Sequence, residues 1–374
     1  MISLLRRGGL EHWVVQAWYG ALERSRCQRW WVTVLMPLAW CVAAVARRRR
    51  QRAVRHMLGR PLVDGLLLPP VVVVGNLTVG GTGKTPVVAW LARQLLARGQ
   101  RVGLVSRGHG RASLKVRRVL PGDSVTTVGD EPAWLAAQTG CPVVVGRDRL
   151  AAAAALIGEV SVVLSDDGLQ HWRLPRRLEI VVVDATRSPL LGTGRCVPAG
   201  PLRELPDFIG PGQIVLFNHG AAISGEGAVV GVAAAAAAFS VPDWARRATV
   251  LHCAVQPRLA VNLRSGERRP LAAFTAAAGF SGAHVVAGIG HPERFFAGLR
   301  AAGVMLASVR ALPDHHAFTA EDFSGLEGTV LMTDKDAVKC AGFAGPDWWR
   351  VEAELQFAAG AGEQLLQAVL AVVG

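Results

Sequence analysis

From residue 71 onward, short runs rich in Val, Ile and Leu alternate with longer stretches that have helical character. Few polar residues interrupt these runs, which is typical of strands buried on both faces of a parallel sheet. The pattern therefore predicts an α/β layer fold. The predicted strands are 71–74, 102–105, 142–145, 161–164, 179–183 and 213–217, and the predicted helices are 84–98, 131–139 and 148–157.

A stretch of low complexity separates this series from a second one. Gly and Ala dominate between residues 220 and 250, with an uninterrupted Ala run at 233–238, which indicates a domain junction. A length of 374 residues suits two domains and an appendage. We predict an N-terminal segment 1–60, a core domain 61–230 and a smaller α/β domain 231–374. The second α/β series comprises 249–255, 284–289, 292–302, 329–332 and a closing apolar helix at 361–373.

The first 60 residues contain a hydrophobic run flanked by arginines. Residues 30–46 carry no charge, although Pro37 interrupts them, and the run 47–50 is all Arg. As a helix the segment would reach about 25 Å, slightly short of a hydrocarbon core of about 30 Å. A cleaved signal peptide fits poorly because four Arg occupy the place where cleavage would fall, and a buried helix fits poorly with arginine on both flanks. The favoured interpretation is a membrane anchor that spans the bilayer or lies in its interface, with residues 47–50 against anionic cytoplasmic lipid.

The amino-acid composition argues against several classes of protein. Apolar residues make up 51% and charged residues 18%, which excludes a disordered chain. Of the net charge of +13, the first 60 residues carry +10 (twelve Arg, two Glu), so the rest offers no nucleic-acid face. The six cysteines form no C-x-x-C pair, which argues against a disulfide framework or zinc site and fits a reducing compartment. No obligate protein partner is evident.

A glycine-rich segment follows the first predicted strand and precedes the first predicted helix. This order directs backbone N–H groups and a helix N-terminus at phosphate oxygens. Lys84 would reach the β- and γ-phosphates, and the Thr85 hydroxyl would take a Mg²⁺ position. Thr78 stands where the usual pattern has its first Gly, and the alternative is a glycine-rich turn with an incidental Gly-Lys-Thr. The predicted phosphate-binding residues are Gly80, Gly81, Thr82, Gly83, Lys84 and Thr85.

Three further polar motifs carry candidate chemistry. Asp166 and Asp167 end a predicted strand, where the second Mg²⁺ contact of a phosphate-loop enzyme lies, although a helix cap and turn is the alternative. Because adjacent side chains diverge as they leave a strand, the two carboxylates should have different tasks. Asp130 opens a predicted helix and could be an ordinary N-cap. His315, in Asp-His-His, could be a base, a metal ligand or a loop residue. The absence of G-x-S-x-G argues against a nucleophilic serine.

Together these segments resemble the tetraacyldisaccharide 4′-kinase family, the lipid A 4′-kinases of Gram-negative bacteria. Eight stretches match in order, and the Thr at position 78 is itself part of the family's loop. They are VGNLTVGGTGKTP (74–86), LVSRGHG (104–110), GDEPAWLA (129–136), DDGLQH (166–171), PAGPLRE (198–204), AGIGHPERFF (287–296), PDHHAF (313–318) and TDKDAVK (333–339).

The resemblance implies transfer of the ATP γ-phosphoryl group to the 4′-hydroxyl of a tetraacyldisaccharide 1-phosphate, giving lipid IVA. It implies a P-loop NTPase-like parallel sheet domain with a second α/β domain, at the cytoplasmic face of the inner membrane. ATP and Mg²⁺ would be required. Lys84 and Thr85 would hold the phosphates and metal, and the metal would also involve Asp166, Asp167 and Glu204.

The same resemblance assigns the acceptor chemistry. Asp130 would act as general base on the sugar hydroxyl, paired with His315, and Lys84 would act on the transferred phosphate. The second domain would then have to close over the first. Two alternatives remain open: a P-loop GTPase or metallochaperone-like switch, for which no N-K-x-D motif occurs, and an anchored binding protein that has lost catalysis.

Overall fold

The computed structural model describes residues 7–20, 25–57, 62–63, 65–111, 113–220, 231–314 and 316–373. The helices are α1 (Arg7–Tyr19), α2 (Arg26–Val34), α3 (Met36–Met57), α4 (Lys84–Leu96), α5 (Val125–Val128), α6 (Asp130–Thr139), α7 (Arg149–Ala154), α8 (Val232–Ala238), α9 (Pro292–Ala301), α10 (Asp334–Cys340) and α11 (Ala361–Val373).

The strands form one small hairpin and one large sheet. They are β1 (Leu62–Val63), β2 (Leu66–Leu67), β3 (Val71–Gly75), β4 (Val102–Ser106), β5 (Arg117–Arg118), β6 (Val143–Val145), β7 (Val162–Asp166), β8 (Leu178–Asp184), β9 (Gln213–Asn218), β10 (Thr249–Asn262), β11 (Arg268–Pro270), β12 (Ala283–Ala287), β13 (Leu306–Ala311), β14 (Val330–Thr333) and β15 (Trp348–Phe357). Every predicted strand and helix is present, with ends that differ by a few residues; β10 is the exception, extending seven residues beyond its predicted end at 255.

The large sheet is continuous across both halves of the chain. Its order is β13-β12-β14-β15-β10-β9-β8-β3-β7-β4-β6-β5, with β11 paired to β10. Pairing is parallel from β9 through β8, β3, β7 and β4 to β6, as predicted. The halves meet where β10 pairs in parallel with β9, and β10 then continues antiparallel to β15. The sheet therefore holds the two series of elements in one layer.

The valine run of β3 shows why this sheet is buried on both faces. Val72 and Val74 point into an apolar cluster with α4, whereas Val71 and Val73 point into a second cluster on the opposite face. Side chains alternate across a strand, so a strand covered on both faces must be apolar at every position. All four valines are at most 1% exposed.

The closing helix α11 packs in the core of the first half. Leu365, Leu366 and Val369 share an apolar cluster with Val87 and Leu91 of α4. The last helix therefore packs with the first half of the chain, whereas two further apolar clusters consist of residues from 260 onward. The division into two domains stays a prediction.

Three helices, rather than one, lie in the part of the N-terminal segment that the structure describes. In α3 the small side chains Ala39, Ala46 and Ala53 recur every seven residues and are buried, which places them on one helix face. Leu38 and Trp40, on the two sides of this buried face, are exposed. Within the described ranges no single helix is long and apolar enough to cross a membrane. The pair 26–34 and 36–53, bent by 46°, meets that criterion jointly.

One part of the N-terminal prediction is wrong. We expected the arginine run to lie against lipid, but Arg50 is 7% exposed and pairs with Glu179 and Glu204 inside the protein. Arg47 pairs with Asp207 at the surface. The reason is helical geometry: Arg50 lies four residues after buried Ala46, on the face that packs against the sheet domain.

Candidate active site

The glycine-rich segment forms a loop between β3 and α4. Gly80 and Gly83 have φ values of +97° and +85°, which side chains rarely adopt, and α4 begins directly after Gly83. The first N–H groups of a helix have no acceptor within it, so they are available to phosphate oxygens. Among the described residues Asp167 is the one non-glycine with such a φ, so the loop needs no glycine at Thr78.

Asn218 holds the loop from β9, which is separated from β3 by β8 in the sheet. Its side chain is fully buried, and Nδ2 donates to the carbonyl of Thr82 at 2.9 Å. Its Oδ1 accepts from the backbone N–H of Gly220 at 3.1 Å and of Val255 at 3.3 Å. The sequence analysis missed this residue. The available signal was its position directly after a predicted strand, at the sheet edge where the loop emerges.

The adjacent carboxylates at the end of β7 lie in different surroundings, as their divergence predicted. Asp167 lies 3.5 Å from Lys84 Nζ, and both its oxygens accept from one guanidinium nitrogen of Arg203 at 2.9 Å. Burial acts to raise the pKa of Asp167, but the charges of Lys84 and Arg203 outweigh it and hold that pKa well below the usual range. Arg203 belongs to a recognised motif, yet its role was not predicted.

Asp166 is buried without such partners. It is 1% exposed, and neither carboxylate oxygen has a hydrogen-bond partner among the described residues. Burial, with the negative charge of Glu131, raises its pKa to about 7. Unpaired buried carboxylate oxygens beside the phosphate loop fit a divalent cation, which also accepts a hydroxyl such as that of Thr85.

A cation there would need ligands from outside the protein. The described residues contain no group of three or more His, Cys, Asp and Glu that could hold a metal ion. Mg²⁺ commonly takes one or two protein ligands and completes its shell with phosphate oxygens and water. The site therefore fits Mg²⁺ bound together with a nucleotide.

Helices α6 and α10 bring the two halves together beside this carboxylate pair. Asp130 is the first residue of α6, after an N-cap at Gly129, so it is not the cap. It is 7% exposed, and Lys339 Nζ of α10 lies 3.4 Å from its Oδ2. The next residue, Glu131, forms an ion pair with Lys335. The charge of Lys335 lowers the pKa of Glu131, and the pKa of Lys335 is raised although burial opposes this.

A cavity of about 700 Å³ opens over the loop and is lined from both halves. This volume is in the range of small-molecule sites. Gly290 closes over the loop, because a Cβ on it would lie 3.7 Å from the N atom of Gly81. The charged side chains that line the cavity are Lys84, Arg107, Glu131, Asp167, Arg203, Arg294, Asp314, Asp334 and Lys335. The excess of cationic groups suits a phosphorylated ligand.

Three of the predicted site residues that the structure describes, Asp130, Asp166 and Glu204, do not line this cavity; Asp130 and Asp166 are buried and directly precede the lining residues Glu131 and Asp167. Glu204 is 2% exposed and does not line it; its carboxylate accepts from Arg50 and Gln170, so a direct role as metal ligand stays a prediction without support from these contacts. His315 lies outside the described residues, and its neighbour Asp314 lines the cavity. The structure brings Gly80–Thr85, Asp167 and Glu131 of α6 together at the cavity, with Asp166 buried beside Glu131 and Lys84.

Comparison with known proteins gives consistent matches over nearly the whole chain. The model of the family described as LpxK, tetraacyldisaccharide-1-P 4′-kinase, matches residues 31–371. A tetraacyldisaccharide 4′-kinase of Alkalilimnicola ehrlichii is 43% identical over 332 residues, covering 87% of this chain and 88% of the relative. The protein of the same name from Thiobacillus denitrificans is 43% identical, with coverage of 86% and 90%.

A solved structure shares the fold. The "apo" form of LpxK from Aquifex aeolicus, solved in complex with ATP, superimposes with a TM-score of 0.70 and 24% identity. The match covers 92% of this chain and 99% of that one. The overall fold of this chain is thus shared with a solved crystal structure.

Proposed function

Because the chain belongs to the tetraacyldisaccharide-1-P 4′-kinase family, we propose that it transfers the γ-phosphoryl group of ATP to the 4′-hydroxyl of a tetraacyldisaccharide 1-phosphate. The observation that carries this proposal is the shared cavity. The phosphate loop, Asp167 and Glu131 line it from the first half, and Lys335 lines it from the second. Donor phosphates and a sugar hydroxyl can meet there.

The donor side is formed by the loop and β7. The backbone N–H groups at the start of α4 bind the phosphates, and Lys84 neutralises their charge. Thr85 and Asp166 hold Mg²⁺, which when bound neutralises charge that develops on the phosphate oxygens. Asp167 keeps Lys84 and Arg203 in place through its ion pairs at 3.5 and 2.9 Å.

Asp130 accepts the proton of the acceptor hydroxyl on this proposal. A sugar hydroxyl is a weak nucleophile, and a carboxylate at hydrogen-bond distance can take its proton as the new P–O bond forms. Lys339 Nζ lies 3.4 Å from Asp130 Oδ2 and orients this carboxylate. His315, the partner implied by the family resemblance, stays a prediction for this step.

The N-terminal helices hold the enzyme at the membrane that contains its acyl-chain substrate. Trp30, Leu38 and Trp40 are 67%, 56% and 60% exposed, and Leu66 and Leu67 of the small hairpin are also exposed. Exposed aromatic and aliphatic side chains next to Arg48 and Arg49 suit an anionic lipid surface. This placement corresponds to the cytoplasmic face of the inner membrane.

A phosphoryl-transfer assay tests the function. Labelled ATP and tetraacyldisaccharide 1-phosphate are incubated with the protein in detergent micelles, and the lipid product is separated and mapped. We expect label at the 4′ position, and none with Lys84→Met. Hydrolysis of GTP without lipid would favour the switch-protein alternative. Absence of labelled lipid from folded wild-type protein would overturn the proposal.

A further inference from the structure

The side chain of Arg50 extends from α3 into a cluster of buried charged residues in the sheet domain. Its Nε donates to Glu204 at 2.9 Å, and one terminal nitrogen donates to both oxygens of Glu179 at 3.0 and 3.1 Å. The Phe208 ring lies 3.3 Å from the guanidinium carbon. The neighbouring arginines of the same run are exposed. Of the four arginines at 47–50, Arg50 is therefore the one whose side chain is buried within the protein.

The cluster is electrically balanced. Arg176 donates to Glu179 at 3.0 Å, so two guanidinium groups face two carboxylates, and each of the four residues is less than a tenth exposed. Buried charges are tolerated only when paired and hydrogen-bonded. The arrangement thus fixes the position of Glu204 on the side of the protein that meets α3.

From Glu204 a chain of hydrogen bonds runs to the phosphate site. Gln170 Nε2 donates to Glu204 at 2.8 Å and to the carbonyl of Asn76, at the start of the phosphate loop, at 3.1 Å. Gln170 Oε1 accepts from Arg203 at 3.5 Å, and Arg203 holds Asp167. One amide therefore connects Glu204, the loop and the guanidinium that positions Asp167.

We propose that Arg50 is a positioning residue for the phosphate site. By fixing Glu204, it orients Gln170 and with it the loop and Arg203, so the docking of α3 is coupled to nucleotide binding. This inference rests on the proposed kinase function. It gives Glu204 a role through Gln170 rather than through direct contact with the metal.

Arg50→Met in the full-length protein is the main test, with Arg52→Met, exposed on the same helix, as matched control. Mutation of groups that orient metal ligands typically costs about 10- to 100-fold in metal affinity or activity. By analogy we expect the KM for ATP to rise at least about tenfold in Arg50→Met and to be unchanged in Arg52→Met. A purely structural role would lower the Tm and leave the KM of the folded fraction unchanged, and that result would overturn the proposal.

A double-variant comparison tests the route. Gln170→Met removes the connecting amide but leaves Arg50 paired. If Arg50 acts through this amide, Arg50→Met combined with Gln170→Met raises the KM no further than the larger single change. Effects that multiply in full would overturn the proposal.

Two further measurements cover the cases in which Arg50→Met does not fold or the wild type does not phosphorylate lipid. If Arg50→Met does not fold, Arg50→Lys keeps the charge but lacks the planar fork that reaches two carboxylates, and a KM equal to wild type would contradict the inference. Binding of a fluorescent ATP analogue is measured alongside turnover. Failure of the wild type to phosphorylate lipid would contradict the proposed function, whereas the binding comparison would still decide the role of Arg50.

Discussion

The two carboxylates at the end of β7 differ in whether protein side chains already balance their charge. Asp167 has its charge satisfied by Lys84 and Arg203, so it holds other side chains in place. Asp166 is buried, and neither of its carboxylate oxygens has a hydrogen-bond partner among the described residues. Of the two carboxylates, it is therefore the better ligand for a cation. Adjacent residues of one type thus acquire different chemistry from their surroundings alone.

Asp130→Asn should abolish phosphoryl transfer while leaving ATP affinity within a few-fold of wild type. The substitution keeps size and polarity but removes the base, which acts only in the transition state. We expect kcat to fall by roughly 10²- to 10⁴-fold, measured with labelled ATP and lipid acceptor. Asp243→Asn, on an exposed surface, is the control. Normal turnover of Asp130→Asn would exclude this residue from the mechanism.

At the scale of elements, the junction between β3 and α4 depends on close packing as well as backbone freedom. In Gly83→Ala the new Cβ would lie 2.3 Å from Asn218 Nδ2, so the loop must shift from its brace on β9. We expect affinity for ATP to fall at least tenfold, by titration with a fluorescent analogue. Gly99→Ala is a matched control, because Gly99 also has a positive φ (+76°) but open space around it. Equal binding by both variants would contradict this account.

The β9–β10 junction contains a histidine pair that should make stability depend on pH. His219 Nε2 lies 2.9 Å from His252 Nδ1, and burial together with the neighbouring His252 lowers the pKa of His219 to about 4. A folded-state pKa below the unfolded value of about 6.5 gives stability that is present above pH 6.5 and lost as pH falls toward 4.

We therefore expect the Tm to decline between pH 6.5 and 4, and the decline to be smaller in His219→Gln. Thermal unfolding at a series of pH values measures this dependence. His284→Gln, on β12 away from the junction, is the control. An identical pH dependence in His219→Gln and wild type would show that the pair does not contribute.

The individual strands and helices could be predicted from the sequence, whereas contacts between residues far apart in the sequence could not. The strands and helices were predictable because runs of Val and Ile, helical stretches and glycine punctuation are local signals. The phosphate loop and the Asp pair followed for the same reason. The pairing of Arg50 with Glu179 and Glu204 spans more than 120 residues, and the brace by Asn218 spans a similar length. Such contacts depend on strand order, which no local pattern contains.

At the scale of the whole molecule, most of the net positive charge and several exposed apolar side chains belong to the N-terminal part of the chain. Replacement of Leu38 and Trp40 by Ser should weaken binding to vesicles of phosphatidylethanolamine and phosphatidylglycerol, because each exposed apolar side chain contributes about 1.5–3 kcal/mol when buried. Cosedimentation measures the bound fraction. Leu114→Ser, 61% exposed elsewhere, is the control. Equal loss in both would argue against an N-terminal membrane surface.

The return of α11 to α4 has a consequence for biosynthesis. The helix that carries Lys84 is covered by residues near the end of the chain, including Leu365 and Leu366, and Arg98 just beyond α4 pairs with Glu363. A nascent chain therefore cannot complete the core beneath its phosphate loop until residues 361–373 have emerged from the ribosome. Fragments that end before residue 361 should expose this apolar surface and attract chaperones.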